Sequence, residues 1–464
     1  MHKASSLRQA LLAGNKRKKD VAHDILNGIK DKKKFWMIGF GLSGLLLLAG
    51  GYCLYRTWWD GIGMWGENKS INWAWDITNF VWWIGIGHAG TLISAILLLC
   101  RAKWRTSINR SAEAMTHCAV SCSSFYILAH LGRPWLFYWV FPIPNTYGDL
   151  WVNFNSPLVW DAFAILTYLL VSMLYWYLGL IPDLAQLREM SSGFKKRMYK
   201  ILSLNWENST WQWRRYESIM LTIAGLATAL VISVHSIVAM DFATSILKGW
   251  HSTFFPPYFV IGAILSGFAM VLTLLIPLRK LLNLEDYITV RHIENMNKLV
   301  ILTSGLIGIS YFIEIFKAWY IGKLDGFMMF YRMGGDYATF FYLMLLFNAL
   351  LPQLLWFKSL RRNLMFSFCL SLLVNIGMWL ERFVIIVTTL SRGYLPSSWA
   401  LFFPSMYDVG VFIFSIGLFF FLFLLFIRYV PVVTMWEVKE MIETPVNNTS
   451  REQSKAQEKG VESH

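Results

Sequence analysis

Five ionisable side chains lie near the ends of three long apolar segments. His130 and Arg133 are three residues apart in "YILAHLGRPWLFYW". Asp161 lies about one turn into the next apolar segment, and His235 and Asp241 close a later one. The i, i+3 spacing places His130 and Arg133 on one helical face. A histidine can accept a proton near neutral pH, and a nearby carboxylate can orient it or take the proton onward. We therefore predict one site built by three helices.

A quinol suits this combination, because its ring carries two hydroxyl groups whose oxidation releases protons and electrons together. We predict that His130, Asp161 and Asp241 handle the protons, that Arg133 keeps the carboxylates ionised and that His235 contacts the ring. The aromatic stretch "RPWLFYWVFPIP" (133–144) would enclose the ring. The alternative is that these groups only snorkel at a membrane interface beside a Trp and Tyr belt.

The composition indicates which elements position these residues. The chain has 464 residues, 56% hydrophobic and only 15% charged, whereas soluble domains are about 25% charged. Apolar runs of about 20 residues indicate membrane spans, which must be helical because lipid cannot satisfy open strand edges. We predict an all-α polytopic membrane protein with ten spans: 37–56, 77–100, 113–132, 158–180, 217–240, 256–278, 298–320, 338–357, 363–389 and 408–429.

The net charge of +14 follows this topology. Most of the 42 Lys and Arg residues fall in the N-terminal segment, in the loops after even-numbered spans and in the C-terminal segment. This positive-inside pattern predicts that both termini are cytoplasmic and places the His130 cluster at the outer face. The basic excess therefore calls for the lipid bilayer as partner and for no nucleic acid.

An internal repeat organises the middle of the chain. "RSAEAM" (110–115) and "RHIENM" (291–296) share R-x-x-E-x-M at an offset of 181 residues, and each precedes a span of the same direction. Such a parallel repeat predicts two four-helix bundles with two flanking helices. The predicted regions are a basic cytoplasmic segment (1–36), a flanking helix (37–57), a first bundle with the quinol site (77–241), a second bundle (256–392), a flanking helix (408–430) and a polar cytoplasmic tail (431–464).

The two predicted bundles differ in their polar residues. The offset maps His130 onto Tyr311 and Arg133 onto Glu314. Intramembrane ionisable groups usually mark a site or a relay, so we consider a proton path through His88, His117, Glu314, Glu381 and Arg382. The alternative is that Glu381 with Arg382, and Glu314 with Lys317, are structural ion pairs. Arg392 either faces the quinol site across the repeat interface or anchors the surface.

The sequence carries no cofactor motif of its own. None of the five cysteines forms a C-x-x-C pair, and there is no Walker loop or dinucleotide fingerprint. His117 and His130 are spaced to ligate two haems on one helix, but no other span offers a matching pair. We expect no haem, iron–sulfur cluster or metal in this chain.

The predicted bundles, flanking spans and outer His and Asp residues resemble the NrfD/PsrC-type membrane subunits of quinone-linked oxidoreductases, over roughly residues 37–430. The ten spans look most like the ActC subunit of bacterial alternative complex III. The resemblance implies that the first bundle binds quinol, with roles for His130, Asp161 and Asp241, beneath an iron–sulfur subunit on the periplasmic side of the bacterial inner membrane.

The resemblance also implies partners. It predicts menaquinol as the substrate, c-type cytochrome subunits, a second NrfD-type membrane subunit and possible coupling of quinol oxidation to proton translocation. Two alternatives stay open: an anchor subunit of another quinone-linked, molybdoenzyme-type reductase, and a secondary transporter. Against a transporter, the strongest polar cluster lies near the outer surface and matching Gly/Pro interruptions are missing.

Overall fold

The fold is helical throughout the part of the chain that the computed structural model describes, namely residue 12 and residues 18–31, 33–140 and 157–442. The predicted all-α polytopic class is confirmed. Parts of the predicted segments 1–36 and 431–464, and residues 141–144 of the aromatic stretch, lie outside the described residues.

Fifteen α-helices follow one another along the described residues. They are α1 Lys18–Asp31, α2 Lys33–Asp60, α3 Trp75–Leu99, α4 Asn109–His130, α5 Pro157–Glu189, α6 Gly193–Leu202, α7 Thr210–Ala243, α8 Phe255–Leu281, α9 Val290–Ile321, α10 Lys323–Gly334, α11 Ala338–Leu345, α12 Lys358–Arg361, α13 Leu364–Ser391, α14 Met406–Tyr429 and α15 Met435–Met441. Short 3₁₀ helices cover Ile62–Met64, Lys103–Ser107, Pro134–Val140, Leu351–Trp356 and Pro396–Ser398, and a π-turn covers Leu346–Leu350.

Nine helical segments in the described residues are long and apolar enough to cross a membrane, so the protein is a multi-pass membrane protein. The remaining predicted span, 113–132, falls on α4 up to His130, and this helix is 22 residues long but more polar. This helix packs against α3 and α14 and is mostly buried. Neighbouring helices rather than lipid therefore surround its polar side chains.

The eighth predicted span changes helix type halfway. Its α11 turns run into the π-turn and then into a 3₁₀ turn that begins beside Pro352. Proline has no N–H to bond the carbonyl four residues earlier, which is that of Asn348. That carbonyl instead accepts a hydrogen bond of 2.6 Å from Ser304 Oγ. The irregular segment turns the buried Asn348 side chain toward α9.

The helix α3 lies at the centre of the packing, in contact with α4, α7 and α8. Small residues permit these close approaches: a Cβ on Gly90 would come within 2.2 Å of the Ala112 carbonyl oxygen in α4. The helix α8 also contacts α9 and α13, while α14 packs on α2 and α4. The division into two four-helix bundles stays a prediction, with α3 and α8 as the helices in contact across it.

Candidate functional site

An ion pair joins the start of α3 to the end of α4. The imidazole Nδ1 of His130 contacts the carboxylate of Asp76. Asp76 is in the first turn of α3, is buried, and also accepts a hydrogen bond of 3.1 Å from the backbone N–H of Ala74. An acidic residue is favourable in the first turn of a helix, where backbone N–H groups have no helical partner. The structure thus gives His130 a fixed carboxylate partner.

A second acid extends this pair toward the predicted outer side. Glu67, in the loop between α2 and α3, hydrogen-bonds the Asp76 side chain. Burial and the neighbouring Asp76 charge raise the pKa of Glu67 to about 10. Glu67 is therefore protonated at neutral pH and can donate to the Asp76 carboxylate. The result is a short chain of proton-carrying groups, which we call the His130 chain: His130, Asp76 and Glu67.

The loop that carries Glu67 is held by the start of α14. The Asp408 carboxylate accepts hydrogen bonds from the backbone N–H of Gly66 at 2.8 Å and of Ser405 at 2.7 Å. A Cβ on Gly66 would lie 1.9 Å from the Phe403 carbonyl oxygen, so only glycine fits there. This anchorage fixes the position of Glu67 relative to α3.

Two other carboxyl groups meet between α5 and α7. Asp161 and Asp241 lie within hydrogen-bonding reach of each other. Among the described residues, neither carboxyl oxygen of the buried Asp161 has another partner. Two adjacent carboxylates repel each other, so such a pair is suited to hold one shared proton. Two members of the predicted five-residue cluster thus lie together, and the single site built by all five stays a prediction.

The histidine predicted for the same cluster lies deeper. The Nδ1 atoms of His235 in α7 and His88 in α3 are 3.0 Å apart, and both side chains are buried. One ring must donate to the other at this distance. His235 lies six residues before Asp241, which corresponds to about 9 Å along the helix. The structure thus pairs His235 with a residue that we assigned to the proton path.

The two arginines predicted to contact quinol differ in their surroundings. The Arg133 side chain is exposed and forms no ion pair with any described residue. Arg392 binds Asp336 at 2.6 Å and lies over the Tyr331 ring, 4.4 Å from its centroid. The structure therefore supports the surface-anchor interpretation of Arg392, and its quinol-facing alternative stays a prediction.

The second half contains the expected buried ion pair. Arg382 binds Glu381, the other carboxylate oxygen of which accepts from the Tyr311 hydroxyl. Asn348, turned inward by the π-segment, donates to the Tyr311 oxygen at 2.9 Å. The Arg382 guanidinium also lies 4.3 Å from the centroid of the Phe259 ring in α8. Tyr311 is the residue that the repeat aligns with His130.

The partner of Glu314 differs from the prediction. Glu314 binds Arg332 of α10 at 2.7 Å, whereas Lys317 donates to Ser252 Oγ at 3.1 Å. The one-turn spacing to Lys317 favoured that lysine, but the arginine comes from the following helix. These four side chains border a cavity of about 50 Å³, which Tyr258 also lines. That volume is enough for water.

His117 is hydrogen-bonded neither to the His130 chain nor to the other pairs described above. Its ring contacts Trp176 of α5, with centroids 4.9 Å apart, and its two nitrogens have no hydrogen-bond partner among the described residues. Within the described ranges, no group of three or more His, Cys, Asp or Glu side chains could hold a metal ion.

Sequence reasoning missed the partners rather than the central residues. Asp76 lies one residue before the predicted span 77–100 and resembled an ordinary helix-capping acid. Glu67 and Asp408 lie in a loop and at a helix start far apart in sequence. The sequence did contain a signal: Glu67 and Asp76 both precede the predicted span 77–100, on the side where the His130 cluster was expected.

Comparisons with known proteins agree with this architecture. Residues 63–392 match the family described as "Polysulphide reductase, NrfD". A Halobacterium salinarum protein, provisionally named as a membrane subunit of dimethyl sulfoxide reductase, is 25% identical over 50% of this chain and 49% of its own. A selenate reductase subunit of Mesobacillus selenatarsenatis is 23% identical over 51% of this chain and 55% of its own. The chain thus spans about half the length of the curated relatives it matches.

Proposed function

Because the chain belongs to the polysulphide reductase NrfD family, members of which interact with quinones, we propose that it is the membrane subunit of a quinol-linked reductase. In this role it oxidises quinol within the first bundle and passes the electrons to a partner subunit. The names of the two relatives, both reductase subunits, favour a molybdoenzyme-type reductase over alternative complex III. ActC-type membership, menaquinol and a c-type cytochrome partner have no support beyond the resemblance.

The observation that carries the proposal is the His130 chain. Quinol oxidation requires a group that accepts a hydroxyl proton and a route that takes the proton to water. His130 is half-buried and hydrogen-bonded to an ionised carboxylate, which orients its ring and stabilises its protonated form. Asp76 and the neutral Glu67 continue from it toward the loop. His130 accepts the first proton, and the Asp161–Asp241 pair is the candidate acceptor for the second.

The proposal includes a partner that receives the electrons. Quinol gives up two electrons, and the names of the two relatives are those of subunits of multi-subunit reductases. An iron–sulfur subunit seated on the predicted outer face, above the His130 chain, would receive the electrons. We place this face on the periplasmic side of a bacterial inner membrane, because the positive-inside pattern puts both termini in the cytoplasm.

A proton path to the second half is a further part of the proposal. The buried His88–His235 pair and the Glu381–Arg382 pair approach the same ring, Phe259 of α8: the His235 ring lies 6.1 Å from it and the Arg382 guanidinium 4.3 Å. A change of charge at the His88–His235 pair therefore alters the electrostatic energy of the Glu381–Arg382 pair, because the region between them has a low dielectric constant. This contact is the physical basis for coupling quinol oxidation to proton translocation.

The test is to purify the chain from native membranes with its partners. We expect a subunit with iron–sulfur clusters to co-purify, and anaerobic addition of a menaquinol analogue to reduce those clusters, as followed by electron paramagnetic resonance. Isolation of the chain alone, or clusters that quinol leaves oxidised, would overturn the proposal. Substrate-driven transport by the lone chain in proteoliposomes would establish the transporter alternative instead.

A further inference from the structure

We propose that a cavity at the opposite, predicted cytoplasmic, side binds the head group of a zwitterionic phospholipid with a primary ammonium, namely phosphatidylethanolamine. The cavity has a volume of about 890 Å³. It lies between the last turn of α3, the first turns of α7 and α9, and α15. The C-terminal end of α3 and the N-terminal ends of α7 and α9 lie at one predicted membrane level, where lipid head groups are found.

Three cationic side chains line this cavity without an ion pair in the described part of the chain: Arg101, Lys103 and Arg291. The fourth, Arg105, is already bound to Glu437. Arg101 follows α3 with a positive φ of 50°, a conformation uncommon outside glycine. A phosphate bound by several such groups forms charge-assisted hydrogen bonds, and basic pockets between helices on the cytoplasmic side suit lipid head groups.

Three carboxylates line the same cavity; Glu437 is paired with Arg105, and the other two decide the class of lipid. Glu217 and Glu440 form no ion pair with any described residue. A site for a purely anionic head group would be weakened by two such charges, because like charges repel. The ethanolamine ammonium supplies three N–H donors for the two carboxylates, while the lipid phosphate binds the cationic side chains. The quaternary ammonium of choline has no N–H donor and cannot make these bonds.

The remaining wall is apolar and continues into the membrane. Leu98 of α3 and Met220 and Leu221 of α7 line the cavity, and Leu221 is 39% exposed. Trp436 closes the other side and packs against Trp213, with ring centroids 5.0 Å apart. Aromatic residues are typical of the membrane interface. The apolar wall gives acyl chains a path from the head group along α3 and α7 into the bilayer.

The experiment uses the purified full chain, with any subunits that co-purify, delipidated in detergent and incubated with phosphatidylethanolamine, phosphatidylcholine or phosphatidylglycerol. Native mass spectrometry counts the retained lipid, and thermal unfolding reports stabilisation. We expect phosphatidylethanolamine to be retained about tenfold better than phosphatidylcholine, since the loss of hydrogen bonds to charged groups costs about that factor. Equal retention of these two lipids would overturn the proposal.

Two double variants test the two charge sets. Arg101→Gln with Arg291→Gln should lower the retention of all three lipids, whereas Glu217→Gln with Glu440→Gln should shift the preference to phosphatidylglycerol. Lys69→Gln, on the predicted outer side, is the matched control and should retain lipid as the unaltered complex does. Unchanged retention in the arginine double variant, or an unchanged lipid preference in the glutamate double variant, would contradict the assignment.

A last arm separates a lipid from a soluble phosphate. Inorganic phosphate and phosphoethanolamine are added to the delipidated complex at the same concentrations. If either stabilises it as well as the lipid does, the site is a soluble-anion site and the lipid assignment is wrong. The measurements need no quinol, so their outcome is independent of the proposed function.

Discussion

Near the predicted outer face, the two halves of this protein use their acids in different ways. There, carboxyl groups of the first half meet a histidine or one another, whereas Asp183 at the opposite end of α5 binds Arg110 at 3.0 Å. In the second half, the two outer acids Glu314 and Glu381 each meet an arginine. The first-half contacts are His130 with Asp76, Asp76 with Glu67, and Asp161 with Asp241; the second-half contacts are Glu381 with Arg382 and Glu314 with Arg332.

The difference concerns which groups can change protonation. A guanidinium stays charged under all physiological conditions, so it holds its carboxylate partner ionised. A histidine, or a second carboxyl group, can give up or take a proton near neutral pH. In the proposed function, the outer part of the first half can therefore exchange protons, whereas the outer part of the second half holds charge. The substitution of His130 by Tyr311 across the repeat removes the titrating ring from the second half.

The largest expected effect comes from breaking the His130 chain. Asp76→Asn should lower quinol oxidation about a hundredfold or more, as general acid–base groups contribute at least that factor. His130→Ala and Asp161→Asn should act similarly. Quinol-dependent reduction of the partner's clusters measures the rate, and co-purification measures assembly. Asp60→Asn, which alters only an exposed pair with Arg56, is the control. A normal rate of quinol oxidation in an assembled Asp76→Asn complex would show that the His130 chain has no role in the mechanism.

Breaking the pair in the second half should affect stability before activity. Arg382→Gln leaves Glu381 buried without its cation, which costs about 3 kcal/mol or more. We expect poor assembly and a lowered Tm of the purified complex. The double variant Arg382→Gln with Glu381→Gln should recover much of the lost Tm, because the uncompensated charge is gone. A double variant no better than Arg382→Gln would show that the pair is not the cause.

The same pair also tests whether the halves communicate. Glu381→Gln in proteoliposomes should keep near-normal quinol oxidation and should lower the number of protons moved per electron. The reason is that the variant removes the buried negative charge paired with Arg382, the residue that lies over Phe259 at the contact between the halves. Proton uptake and release are followed with an entrapped pH-sensitive dye. An unchanged ratio would leave Glu381 as half of a structural ion pair.

A smaller, pH-dependent effect is expected at Glu67. Its pKa is raised from 4.5 to about 10 in the folded protein. Between these values the folded state holds a proton that the unfolded state releases, so this residue makes stability fall as pH rises. Glu67→Gln keeps a neutral donor and does not titrate. The Tm difference between the variant and the unaltered protein should therefore shift in favour of the variant by about a few degrees as the pH rises from 6 to 9. A Tm difference independent of pH would contradict the protonated state.

The smallest effects are expected at the two arginines nearest the protein surface. Arg392→Gln removes a partly exposed pair with Asp336, and such pairs contribute about 1 kcal/mol or less. Arg133→Gln removes an exposed side chain. Both variants should oxidise quinol within about twofold of the normal rate, since neither touches the His130 chain. A large loss in Arg133→Gln alone would restore the predicted role of Arg133 as a quinol contact.

The sequence was informative where physical constraints are strong. Apolar run length predicted the helical spans, and the cost of intramembrane charge drew attention to His88, Glu381 and Arg382, which are all buried in the structure. The span 113–132 was also predicted from its apolar run, although α4 is too polar to count as a membrane span by composition alone.

Partner choice was harder to predict, because it depends on helix rotation and on loops. The spacing on α9 favoured Lys317 for Glu314, but α10 folds back and brings Arg332 closer. His235 was placed by its level in the membrane, whereas its pairing with His88 depends on how α3 and α7 face each other. Contacts such as Asp408 with Gly66 join residues 342 positions apart, and one sequence without an alignment carries no signal for them.

The tie between Gly66 and Asp408 has a consequence for biogenesis. Helices enter the bilayer in chain order during translation, and α14 is the last of the long ones in the described residues. The loop that carries Glu67 emerges early but meets its anchor only when α14 has been made. The loop that carries Glu67 therefore stays without its anchor until α14 has been synthesised. A ribosome that stalls before residue 406 leaves an inserted chain without a fixed Glu67, and hence without the proposed exit for quinol protons.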